Sequence, residues 1–333
     1  MTTGQGLTGN MIGAFNRIGQ KAKGSSPEEI LENANMNFRV VKTPLYDSTG
    51  TALKSQYCRT ARSDTGDTLG VVSRSYVPHH PIDLVNLADK AGLLSGIDRI
   101  GMVKNGQKVF MSFKMPEGFS FGHGSAEEQI DIYWYLMSSN DGSMAVKLVP
   151  SPVRLICDNQ FPMLHGFLTN QGINPNILSM RHSSIISQRE DSLLKVLNIG
   201  DGLIKNFAEQ ASQLLTVQME QHDRIEYYID VLKINQNSEV MKGGKEYDAT
   251  NPYGLGTRGN NTIDKLLELE EAPTNTVGDM YGTAWGAFNT VTEFIDYEWT
   301  YNKDGTPNEK RMESAVLGPA AAQKNRALQL LTV

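Results

Sequence analysis

Two cysteines among 333 residues, Cys58 and Cys157, are too few for a disulfide framework, and they stand in no paired-cysteine spacing. Both are expected to be buried thiols in a reducing compartment. No window approaches the roughly 18 uninterrupted apolar residues of a membrane helix. Residues 1–24 also lack the apolar block of a secretory signal. A soluble, cytoplasmic protein with no membrane partner is therefore expected. The strings of phosphate-loop enzymes, serine hydrolases and zinc proteases are all missing. Gly254, Gly256 and Gly259 mimic a dinucleotide fingerprint, but no strand leads into them. No catalytic residue, cofactor or metal is assigned on these grounds, and an enzyme could be built only from distant residues such as His79, Asp131 and Asp141. His79 and His80 adjoin on an extended stretch between prolines, where neighbours point to opposite sides, so a turn or cap role is the reading for that pair.

What is present is enough for a full core: 39% hydrophobic and 20% charged residues, with a formal charge of −6. The sum hides an asymmetry. Residues 36–115 hold eleven bases and six acids, whereas residues 200–300 hold seven bases and seventeen acids. A positive half and a negative half point to an anionic partner for the first, or to head-to-tail contact between copies.

The pattern predicts an α+β protein: a mainly antiparallel β-sheet with a β-β-β-α start, followed by an α-helical C-terminal half. The divisions are a flexible arm at 1–35, a β-rich domain at 36–160, and a helical region at 161–333 packed on the sheet. Runs at 39–46, 54–62 and 69–77, separated by polar turns, read as a meander, and Pro81 suits the first turn of a helix reaching about residue 94. Asn105-Gly106 reads as a two-residue hairpin turn between strands at 99–103 and 107–115. Within the latter, Val109, Met111, Phe113 and Met115 would face the core, while Lys108, Phe110, Ser112 and Lys114 would face outward. A second hairpin joins 130–138 to 144–149, and a strand through 153–157 extends the sheet. Beyond residue 180 the period becomes helical. A helix from Ser183 or Ser184 passes Leu214 and runs on past Tyr228; residues 236–261 read as a long loop; a short helix is capped by Asn261 or Thr262. The stripe Tyr281, Trp285, Phe288, Thr292, Ile295 and Trp299 predicts core or an oligomer seam, and a last helix carries Ala320 to Leu331.

Several strings carry a resemblance. These are Thr65-Gly66-Asp67-Thr68-Leu69-Gly70-Val71-Val72-Ser73-Arg74-Ser75-Tyr76, Ser139-Asn140-Asp141-Gly142-Ser143, Arg154-Leu155-Ile156-Cys157-Asp158-Asn159, and the run from Gly282 to Glu293 (GTAWGAFNTVTE). In order and spacing they resemble the phage/plasmid-like protein family catalogued as domain of unknown function 932, over about residue 38 to the C-terminus. Members of that family often carry His where this chain has Asn140. The resemblance implies a mobile-element or prophage origin and a bacterial host cell, and supplies no activity. Such elements often encode single-strand annealing recombinases, whose cores are similar to a β-β-β-α unit.

Single-stranded DNA is held by cations that track phosphates and by rings that stack on bases. Tyr57 and Arg59 share a strand face, Arg74 and Tyr76 follow on the next strand, and Lys108, Phe110 and Lys114 lie on the next hairpin. Arg62 and Lys104 add cations beside them, and Lys147 and Arg154 prolong the track. These eleven residues are the candidate nucleic-acid-binding set. The expected function is a phage-type DNA-binding protein of recombination or replication that anneals single strands without nucleotide hydrolysis and forms a homo-oligomer. The competing reading is a non-enzymatic interaction protein whose acidic helices bind a protein partner.

Overall fold

The structure, a computed structural model, describes residues 19–115, 119–121, 128–154, 179–180, 202, 205–234, 253–299, 314 and 319–332, with backbone only at 119–121, 128–130, 149–154 and 179–180. It is α+β, with two antiparallel sheets in the N-terminal half and most helices in the C-terminal half. The elements in order begin with β1 (Gln20–Lys21), α1 (Pro27–Asn33), β2 (Val40–Thr43), β3 (Tyr57–Arg62), β4 (Thr68–Ser73) and α2 (Pro81–Lys90). They continue with β5 (Ile97–Val103), β6 (Lys108–Lys114), β7 (Phe119–Phe121), β8 (Glu128–Ser139), β9 (Val146–Arg154) and β10 (Ser179–Met180). Helices follow: α3 (205–216), α4 (Gln221–Leu232), α5 (Thr257–Glu270), α6 (Ala284–Glu293), a π-helical turn (Phe294–Glu298) and α7 (Pro319–Leu331).

The meander forms as read: β2, β3 and β4 make a separate three-stranded sheet. The arm at 1–35 needs a correction at its end. Ser26 caps α1 by accepting the Glu29 N–H at 3.2 Å, Pro27 occupies the first turn, and Ile30 and Leu31 are buried. Two apolar side chains one turn of helix from a Ser-Pro start were enough to bring this segment into the core. Residues 1–18 of the arm lie outside the described residues.

His80 is the cap of α2. Its N–H donates to Asp83 at 2.8 Å and its Nδ1 accepts the Val40 N–H at 3.0 Å, tying the helix to β2, while its neighbour His79 is buried. Adjacent side chains on opposite sides, one bonded to β2 and one in the interior, are what an extended backbone dictates.

The large sheet runs β1-β5-β6-β8-β9-β10, with β7 also on β8. Ile100, Met111, Leu136 and Leu148 lie in one register row across β5, β6, β8 and β9, all buried in the main core. The Asn105-Gly106 turn is not the two-residue hairpin expected. Val103 pairs with Lys108 across four connecting residues, and Lys104, Asn105 and Gly106 all have positive φ. β9 continues through Pro150 and Pro152 to Arg154 as one strand; residues 155–157 lie outside the described residues.

The helical half shares one core with the sheets, from Val40 and Leu69 through Trp134 to Trp285, Phe288 and Leu328. The long helix expected past Tyr228 is broken at 217–220, where Ala284 N–H bonds to Val217 and Met219 N–H to Gly282, both at 2.8 Å. Its expected start near residue 183 lies outside the described residues. α5 begins at Thr257, inside the stretch read as loop, because Leu255, Ile263 and Leu266 all insert in the core and fix the helix earlier than its Gly- and Asn-rich start suggests. In the aromatic stripe, Trp285, Phe288, Thr292 and Ile295 are buried, but Tyr281 stands before the Thr283 cap and is 49% exposed. Among the described residues no helix is long and apolar enough to cross a membrane.

Candidate nucleic-acid interface

The three-stranded sheet has an inner and an outer face. Cys58, Thr60, Arg62, Val40 and Val72 are buried inside, whereas Val41, Tyr57 and Val71 are exposed outside, with Arg59 half-buried between Thr43 and Val71. The doublets Val40-Val41 and Val71-Val72 carried a signal that the candidate set missed. Two adjacent valines on a strand point to opposite faces, so where one face of the sheet is open one of each pair meets water.

Tyr57 and Arg59 of the candidates lie on the outer face, and a third, Arg74, is exposed just beyond its edge. Tyr57 is 46% exposed and pairs with Ser73. Two residues on, Arg59 anchors one guanidinium nitrogen on the Gly66 carbonyl at 2.8 Å. Arg74 is exposed just beyond β4, its N–H bonded to Gln56 beside Tyr57 at 2.9 Å. Lys42 holds that corner by donating to the Arg74 and Tyr76 carbonyls at 2.7 and 2.9 Å.

The other candidates go elsewhere. Arg62 is buried: it grips Asp64 through two bonds of 3.0 and 2.7 Å, donates to Asn105 at 2.9 Å, and lies 4.2 Å over the Phe38 ring. Its bond to Asp64 holds its pKa above the ordinary value. That cation ties the small sheet to the β5–β6 loop, at which Lys104 is exposed. Tyr76 is turned inward, because β4 ends at Ser73 and alternation no longer governs its direction. Its hydroxyl donates to the Ser139 carbonyl at 2.8 Å, and burial, then the nearby Asp141 charge, push its pKa far up.

Phe110 is sealed at 2% exposure, against the expectation that its face of β6 is open. The reason is Gly101 on the paired strand: a Cβ there would lie 2.6 Å from the Phe110 ring, so the missing side chain is the space the ring fills. Ser112, Tyr135 and Met137 on the same face are buried too. Lys108 and Lys147 are half-buried on that sheet, and Lys114 is ion-paired with Asp131. The side chain of Arg154, and Cys157, lie outside the described residues. Asp141 turns back on the Ser143 N–H at 2.8 Å, at the far end of β8 from Asp131, so these two acids do not share a site.

Two of the quoted strings meet at one junction. The loop 139–142 enters the small sheet's inner face, where Thr60 donates to the Asn140 carbonyl at 2.8 Å and Asn140 Nδ2 to Gly106 at 2.8 Å. A Cβ on Gly70 would lie 2.6 Å from the Asp141 Cα. Gly70→Ala is therefore expected to cost about 1–3 kcal/mol by prising the sheet from the loop. A shift of the urea midpoint with an unchanged slope checks this; an unmoved midpoint refutes it.

The family model described as Domain of unknown function (DUF932) matches residues 68–316. The match begins at β4, so β2 and β3, with Tyr57 and Arg59, precede it. No curated protein and no solved structure matches the chain.

Proposed function

We propose that this chain, which belongs to the DUF932 family, binds single-stranded nucleic acid on the outer face of the small sheet, as a phage-type protein of recombination or replication that uses no nucleotide hydrolysis. The observation that carries the reading is the row formed by Tyr57 and Arg59 against Val71 and Ser73: an open ring, a cation and an apolar floor on a paired strand, with no acid among them. A base stacked on Tyr57 gains about 1–3 kcal/mol whatever its identity, and Arg59 and Arg74 supply charge for the phosphates. The sheet is held rigidly by the Arg62 and Thr60 contacts behind it, so the platform is set before a ligand arrives. We set aside Phe110 and Arg62, which are buried, and Tyr76, which turns inward, and centre the proposed site on Tyr57, Arg59 and Arg74.

Fluorescence anisotropy with a labelled single-stranded oligonucleotide tests this. Binding is expected to weaken steeply between about 50 and 200 mM salt. Tyr57→Ala is expected to lower affinity with little change in that slope, whereas Arg59→Ala is expected to flatten it by about one. An oligonucleotide that stays unbound at low salt sinks the proposal, and equal losses in the Phe110→Leu variant would move the site elsewhere.

A further inference from the structure

Among the described residues nine large hydrophobic side chains are exposed, and they are not scattered. Six lie between Val41 and Val77, on the small sheet and its loops. Two more, Val217 and Tyr281, lie in the other half of the chain on either side of the bridge between Gln218 and Thr283, Val217 opposite Ala284 and Tyr281 opposite Glu220. Their charges are opposite. Residues 36–77 carry six bases and three acids, and the Arg62–Asp64 pair cancels one of each, leaving five against two. Around Val217 and Tyr281, segments 217–223 and 277–283 carry Glu220, Asp223 and Asp279, all exposed, and neither lysine nor arginine. The next cation, Arg224, lies under the Tyr281 ring at 5.5 Å with its charge spent on buried Glu270.

From this pairing we infer that copies of the chain associate head to tail, the basic small-sheet face of one copy seating on the acidic Val217–Tyr281 patch of the next. The first patch sets exposed apolar side chains beside a net excess of bases and the second sets Val217 and Tyr281 beside three exposed acids, so apolar contact is available at both and the charges select the partner. The patches are different surfaces, so the contact is heterologous: it propagates into a ring or a filament rather than stopping at a symmetric pair. Because Arg59 and Tyr57 sit in the basic patch, the acidic patch of a neighbour and a phosphate backbone compete for the same groups. Assembly and nucleic-acid binding are then alternatives, and oligonucleotide is expected to dissolve the assembly. The association itself does not rest on the nucleic-acid reading.

Sedimentation velocity on nuclease-treated protein tests it. The wild-type chain is expected to grow in mass with concentration and to shrink as salt is raised. Arg59→Glu and Glu220→Arg, each on an exposed or half-exposed side chain, are each expected to weaken association about tenfold or more, and the double variant to recover it, because the swapped charges meet across the contact. Val71→Glu reads the same face through a different residue should Arg59→Glu disturb the fold, which thermal melting would reveal. A wild-type chain that stays monomeric at low salt overturns the inference, as does a double variant no better than its parents. Anisotropy on the same samples separates the two ideas: oligonucleotide binding without self-association leaves only the nucleic-acid proposal, and self-association without oligonucleotide binding leaves only this one.

Discussion

Glu270→Ala is expected to cost about 3–5 kcal/mol and to loosen the whole helical half. Glu270 is 4% exposed on α5, and both of its oxygens are committed to Arg224 of α4, each bond 3.0 Å long. The Tyr228 hydroxyl also donates to Oε1, at 2.5 Å. Burial pulls the pKa of the Arg224 guanidinium down, yet the Glu270 contact outweighs it and the net shift is upward. Truncation would leave that guanidinium charged and desolvated, with the Met219 carbonyl and the Tyr281 ring as its remaining partners, and a buried phenol beside it lacking its acceptor. The loss exceeds the net worth of the intact pair, because an orphaned buried charge costs more than the bridge contributes. Glu270→Gln keeps an acceptor for Tyr228 but not the charge, and should fall between. Denaturant unfolding followed at 222 nm and by tryptophan emission decides the matter, and a loss under about 1 kcal/mol, the value of an exposed pair, would refute it. A pH series gives a second readout. Burial, then the Glu270 charge, push the Tyr228 phenol well above its ordinary value. Its share of stability is whole below about pH 10 and is lost as pH rises toward the folded-state value, because the unfolded phenol ionises first.

How much of this could be read beforehand differs by element, and for definite reasons. The meander was legible because three alternating runs were separated by polar turns, and α2 because Pro81 followed a residue able to cap. The outward face of β6 was misread. Alternation of Lys108, Phe110, Ser112 and Lys114 looks like a solvent face, and nothing in that strand says that Gly101, on another, makes room for the ring. Arg62 carried a local sign of its fate, Asp64 two residues on, which a search for free cations should weigh. Tyr76 needed the strand to end at Ser73, and strand ends are poorly marked in sequence. Tyr57 and Arg74 stay exposed and Arg59 half-buried, whereas Phe110 and Arg62 are taken into the interior and Tyr76 turns toward it.

Gly286→Ala is the sharper test of how α6 is held, because propensity and packing give it opposite signs. In an isolated helix the change would gain about 0.5–1 kcal/mol. In this structure a Cβ at 286 would stand 2.2 Å from the Met280 carbonyl oxygen, a backbone atom with no room to swing aside. That oxygen also accepts the Thr283 N–H at 3.0 Å and the Thr283 hydroxyl at 2.6 Å, while Thr283 Oγ1 caps the helix by accepting the Gly286 N–H at 3.1 Å. Relief therefore requires the whole turn 280–283 to move, and with it the bridge to 217–219 and the seating of Trp285 and Phe288, both buried. Overpacking of this kind costs about 3 kcal/mol or more when backbone must yield. A lowered melting temperature together with altered tryptophan emission is the expected result. A stabilised variant would mean that the turn opens freely, and the Tyr281–Val217 patch would then have no fixed shape to offer a second copy.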